Sequence, residues 1–109
     1  MGYCTYFTIT SKPIFKGEKL DKLCEELEEI SGGYGFEEYS QGTFGPGDSI
    51  KWYSIHDDML KLSRQYPQHL FIVDGDGEES GDIWRCFFKN GKKDEHTPEI
   101  ILPDEPTWK

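Results

Sequence analysis

The sequence predicts an α+β fold, with two helices packed on one face of a four- or five-stranded antiparallel sheet. Three observations carry that prediction. Two segments, 20–30 and 55–66, space their apolar residues by three and four, as one face of a helix requires. Other segments of strand length are rich in aromatic and β-branched residues. Asn90-Gly91 falls between two extended segments, where a two-residue hairpin turn needs residues tolerant of positive φ. The resulting order is strand, helix, loop, strand, helix, then three strands suited to a meander. Helices segregated to one face of an antiparallel sheet bury both apolar stripes at once.

Each element follows from local chemistry. Tyr3 to Thr10, Tyr-Cys-Thr-Tyr-Phe-Thr-Ile-Thr, reads as the first strand. Pro13 and Gly17 break the chain, and Leu20, Leu23, Cys24, Leu27 and Ile30 then form the apolar stripe of a helix that Ser31-Gly32-Gly33 stops. Residues 32–49 hold six glycines, with Phe36, Tyr39 and Phe44 to anchor them, and fit either a hairpin or an ordered glycine-rich loop. Ile50 to Tyr53 reads as a short strand, and Ser54 is placed to cap a second helix whose inner face is Ile55, Met59, Leu62 and Tyr66. That helix carries Asp57 and Asp58 early and Lys61 and Arg64 late, in accord with the macrodipole, and Pro67 ends it. Leu70 to Val73 and Ile83 to Phe88 are strands, and a last strand runs from Lys92 toward Leu102, where Pro98 confines it to an edge. Residues 103–109 read as an extended acidic tail.

A chain of 109 residues suits a single domain spanning 1–109. Its mean hydropathy of -0.71 is low. Aromatic residues make up 15% of the chain, however, so a few large side chains can fill the core. The formal charge is -9, from 21 acidic and 12 basic residues. That balance argues against general binding to nucleic acid or an anionic membrane, which needs clustered Lys and Arg, and fits either a basic protein partner or acidity that serves solubility alone. Cys4, Cys24 and Cys86 lie far apart and are odd in number, which argues against a disulfide framework. Cys24 and Cys86 read as reduced core residues, and with no signal-peptide pattern or long apolar run the expected location is the cytoplasm.

The candidate binding residues are acidic. Lys19 and Lys22 lie near the start of the first helix while Glu25, Glu26, Glu28 and Glu29 crowd its end, the reverse of what the macrodipole prefers. A solvated face explains this without function, whereas a partner rich in Lys and Arg would favour Glu25, Glu28 and Glu29. The stretch from Asp74 to Asp82 holds five carboxylates and three glycines, among them Asp74, Asp76, Glu78 and Glu79. As a calcium loop it fails, because Glu79 stands where an EF-hand needs its turn glycine and a strand precedes it. A solvated connection, or the alternative of a cation site serving a metal-dependent enzyme, is left open. His56, His69 and His96 show no metal-ligand spacing, and no nucleophile, phosphate loop or cofactor motif occurs, so no cofactor, metal or catalytic residue is expected. Trp108, in the tail, reads as an exposed anchor, since Trp is enriched at interface centres.

Lys51-Trp52-Tyr53, Asp58-Met59, Leu62-Ser63, Tyr66-Pro67, Leu70-Phe71, Gly77-Glu78-Glu79, Gly81-Asp82-Ile83-Trp84 and Asn90-Gly91-Lys92 together resemble small proteins of phages and mobile elements. Those proteins are distantly similar to YubB-like ferredoxin-like domains. The resemblance covers residues 51 to about 92 and implies a ferredoxin-like sheet and a phage or plasmid setting, with no catalytic assignment to carry over. The expected function is that of an acidic protein-binding module. It would inhibit a basic, nucleic-acid-binding host defence protein, such as a CRISPR or restriction component. An orphan structural domain is the plainest alternative.

Overall fold

The structure, a computed structural model, describes residues 3–40, 42–79 and 81–97. Its elements are β1 (Thr5–Lys12), α1 (Glu18–Ile30), β2 (Glu37–Ser40), β3 (Thr43–Gly45), α2 (Ile55–Gln65), β4 (Leu70–Gly77), β5 (Ile83–Lys89) and β6 (Lys92–His96). The strands form one six-stranded sheet in the order β2-β3-β1-β4-β5-β6, and every neighbouring pair is antiparallel. The α+β class holds, but the sheet is wider than the four or five strands expected. The added width comes from the glycine-rich segment, whose Phe44 is fully buried and pins β3 against Ile9 of β1. Ile50 to Tyr53, expected as a strand, is reduced to a single bridge in which Ile50 and Thr5 exchange backbone hydrogen bonds of 3.0 and 2.9 Å.

Register explains where the core sits. Ile9 stands opposite Phe44 on one side and Val73 on the other, and Val73 stands opposite Cys86. In the next inward row Ser11, Phe71 and Phe88 are aligned. All of these are buried, and strand alternation puts them on one face. Leu23 and Leu27 from α1, and Ile55, Met59 and Leu62 from α2, complete the same cluster. Leu20 and Ile30 pack half-buried at its edge, so four of the five stripe residues read from the sequence are packed; Cys24, expected in the core, is only half-buried and outside the cluster. Both helices therefore cover one face, and the residues that alternate with the core rows point the other way.

Three local corrections matter for function. The stretch from Asp74 was expected as a connection, but β4 continues to Gly77, leaving only a short turn before Ile83. Gly75 lies beneath the indole of Trp84, so close that a Cβ there would come within 2.2 Å of the ring. Asp and Gly are poor strand formers, yet here the glycines face inward under large side chains and the aspartates face out. Ser54 does sit at the N-cap of α2, but it makes no side-chain cap: its hydroxyl donates to the Asp58 carboxylate at 2.7 Å instead. A cap would need the hydroxyl oxygen to accept from a first-turn backbone N–H, and no such bond is made. Finally, β6 runs only to His96 among the described residues; Pro98, Leu102, the 103–109 tail and Trp108 lie outside them. The hairpin before it is as expected, with Asn90 and Gly91 both at positive φ between the paired Lys89 and Lys92.

Candidate binding face

The face of the sheet opposite the helices holds a concavity of about 610 Å³ over β1, β4 and β5, lined in part by Tyr6, Thr8, Asp74, Asp76, Ile83 and Arg85. Two rows of side chains cross it. In one, Tyr6 stands opposite Asp76 and Asp76 opposite Ile83. In the other, Thr8, Asp74, Arg85 and His96 follow one another across four strands. Arg85 donates two hydrogen bonds to Asp74, at 2.5 and 3.0 Å, the fork geometry of a guanidinium on a carboxylate. Those bonds hold the guanidinium even more firmly protonated than usual. Asp76 is exposed and has no ion pair among the described residues. Tyr6 and Ile83 beside it leave 57% and 50% of their surface in solvent.

The acidic residues singled out from the sequence do not form one surface. Glu25, Glu28 and Glu29 are exposed on α1, on the helix-covered side, with no ion pair among the described residues. Asp74 and Asp76 project from the open face. Glu26 is different again: it turns inward and accepts a 2.7 Å hydrogen bond from the Tyr66 hydroxyl. Burial, and then that bond, push the Tyr66 hydroxyl up to about 12. Glu78 accepts from the Cys4 backbone N–H at 2.9 Å. The Glu79 backbone N–H donates to the Tyr3 hydroxyl at 3.0 Å, and that hydroxyl in turn donates to Asp82 at 2.5 Å. Much of the 78–82 turn is thus occupied in tying the end of β4 to the chain before β1. Among the described residues no group of three or more His, Cys, Asp and Glu is arranged to hold a metal ion.

The three histidines are dispersed. His56 on α2 meets Glu95 of β6 at 2.8 Å and lies against Trp84. The His69 ring stacks on Phe15 with centroids 4.1 Å apart, and its Nδ1 donates to the Pro13 carbonyl at 2.8 Å. A carbonyl can only accept, so that nitrogen carries the proton. His96 pairs with Asp94 of its own strand at 2.8 Å. Trp52 is buried and donates its indole N–H to Asp58 at 2.8 Å, while Trp84 is half-buried over Gly75.

Tyr6, Ile83 and Arg85 went unmarked in the sequence because their meaning depends on cross-strand pairing. The available signal was alternation: Tyr6 lies between the inward Thr5 and Phe7, and Ile83 and Arg85 flank Trp84. No helix among the described residues is long and apolar enough to cross a membrane. Comparison with protein-family models, curated proteins and solved structures returns no match to this chain.

Proposed function

We propose that this chain is a binding module rather than an enzyme, one that occupies the basic, nucleic-acid-contacting surface of a host protein and so blocks access to it. The observation that carries this reading is the sheet face opposite the helices, which no described element covers. It exposes large side chains beside a carboxylate that has no ion pair among the described residues, in a molecule whose formal charge is -9. Such a charge steers a basic partner and repels nucleic acid, and exposed aromatic and aliphatic groups then anchor the contact. Glu25, Glu28 and Glu29 contribute to the steering field from the other side of the sheet. The element order β1-α1-(β2-β3)-α2-β4, with the strand order β2-β3-β1-β4, supports a ferredoxin-like reading in which β5 and β6 extend one edge. That agrees with the resemblance to phage and mobile-element proteins, and a host defence protein is the partner class we favour.

The test immobilises the full chain, captures proteins from host lysate, and assays each captured protein for duplex binding with and without the chain. The expected partner loses its duplex as the chain is added, and its association slows as salt is raised. Reversing Glu25, Glu28 and Glu29 to Lys should slow association and flatten that salt dependence. A partner that binds duplex and the chain together, or associates at the same rate across the salt series, overturns the reading.

A further inference from the structure

We infer that the open sheet face is a receptor for an arginine side chain, with Asp76 as the acceptor of its guanidinium; this rests on the reading of the chain as a module for basic partners. The argument begins from register. Tyr6, Asp76 and Ile83 are directly opposite one another on three adjacent strands. Side chains so placed have Cβ atoms about 4.5 to 5.5 Å apart, so the carboxylate stands between an aromatic ring and an aliphatic chain. Both neighbours are at least half exposed and both line the concavity.

The adjacent row shows what a carboxylate on this face accepts. Asp74 takes the planar fork of Arg85 through two bonds. The two charges of that pair largely offset each other, so among the described residues Asp76 is left as an uncompensated charge of the concavity. An incoming arginine would repeat the Arg85 geometry one row away: two N–H donors to the Asp76 oxygens, the flat guanidinium against the Tyr6 ring, and the methylene stem along Ile83. Lysine reaches the same carboxylate only as a point charge and does not stack in the same way.

The experiment uses the full chain labelled with ¹⁵N and an end-capped Gly-Ser-Arg-Ser-Gly peptide as probe, followed by amide shifts through a titration. Peptides with lysine or the neutral isostere citrulline in place of arginine serve as comparisons. Shifts should cluster at Tyr6, Asp76 and Ile83. Affinity should drop at least fivefold with Asp76→Asn, and equally with Asp76→Ser should the first variant be perturbed. Citrulline should not bind, and lysine should bind more weakly than arginine. Shifts centred on α1, an unchanged affinity in both Asp76 variants, or equal binding of lysine and arginine each overturn the inference. The two proposals fail separately. A captured nucleic-acid-binding partner whose binding ignores Asp76 removes the arginine receptor alone. Arginine binding at Asp76 without any captured partner of that kind removes the functional reading alone.

Discussion

The two faces of one sheet have been put to opposite uses. On the helix side, Ile9, Phe44, Phe71, Val73, Cys86 and Phe88 are without solvent contact, and α1 and α2 close over them. On the other side the same strands leave Tyr6 and Ile83 half or more exposed. The backbone is common to both, so the difference lies wholly in which residues occupy odd and even positions. Alternation lets one strand stabilise the fold and display a binding surface at once, and a change on one face should leave the other's property intact.

The largest expected effect lies on the covered face. Phe71→Ala should destabilise the protein by about 3 to 5 kcal/mol, and Leu27→Ala and Leu62→Ala by about 2 to 5 kcal/mol each, read from denaturant titration. Near-neutral values at all three would mean that the helices do not cover this face. Next in size is Gly75→Ala. Its added carbon meets the Trp84 ring at a distance no real contact allows, and overpacking of this kind costs about 1 to 3 kcal/mol. A neutral Gly75→Ala combined with a large loss for Trp84→Ala would show that the indole rests elsewhere.

A third expectation sharpens the picture at the edge of the core. The folded state holds the Tyr66 hydroxyl protonated up to about 12, against 10.0 when free of the fold. Its contribution is therefore fully present below pH 10 and is lost as pH rises from 10 toward 12. Tyr66→Phe should flatten the fall in Tm across that window, at a cost near neutral pH of about 1 kcal/mol for the missing hydrogen bond to Glu26. An identical pH profile in both proteins would place the Tyr66–Glu26 contact in doubt. The smallest effect belongs to the open face: Tyr6→Ser and Ile83→Ser should each change stability by no more than about 0.5 kcal/mol. A loss of about 2 kcal/mol at either would show that this face helps to hold the fold together.

Elements with strong periodicity were legible from sequence. Leu23, Leu27, Met59 and Leu62 lie on the helix faces their spacing demands, and Asn90-Gly91 makes the turn its φ preferences suit. The glycine-rich segment was legible as a hairpin or an ordered loop without a choice between them; it is the β2–β3 hairpin, whose strands are too short for alternation to show. The second half of β4 was hidden by composition. Asp74-Gly75-Asp76-Gly77 does alternate, but its inward residues have no side chain, and the groups that fill their places come from across the turn, Asp82 and Trp84, or from the far end of the chain, Tyr3.

What the sequence by itself determined is the class of fold, both helix stripes, the closing hairpin and the excess of negative charge, all of which depend on residues near one another in the chain. The tertiary structure alone decided which charges remain free. Tyr66 takes Glu26 of the other helix, Arg85 takes Asp74 across a strand pair, and Trp52 and Ser54 take Asp58 within a turn of chain. It also decided that Asp76 stands between Tyr6 and Ile83 on the face opposite the helices, while Glu25, Glu28 and Glu29 lie on the far side of the sheet. The reason is register. A one-residue slip would send Asp76 inward and Gly75 outward, and only burial of the core rows against α1 and α2 determines which of the two occurs.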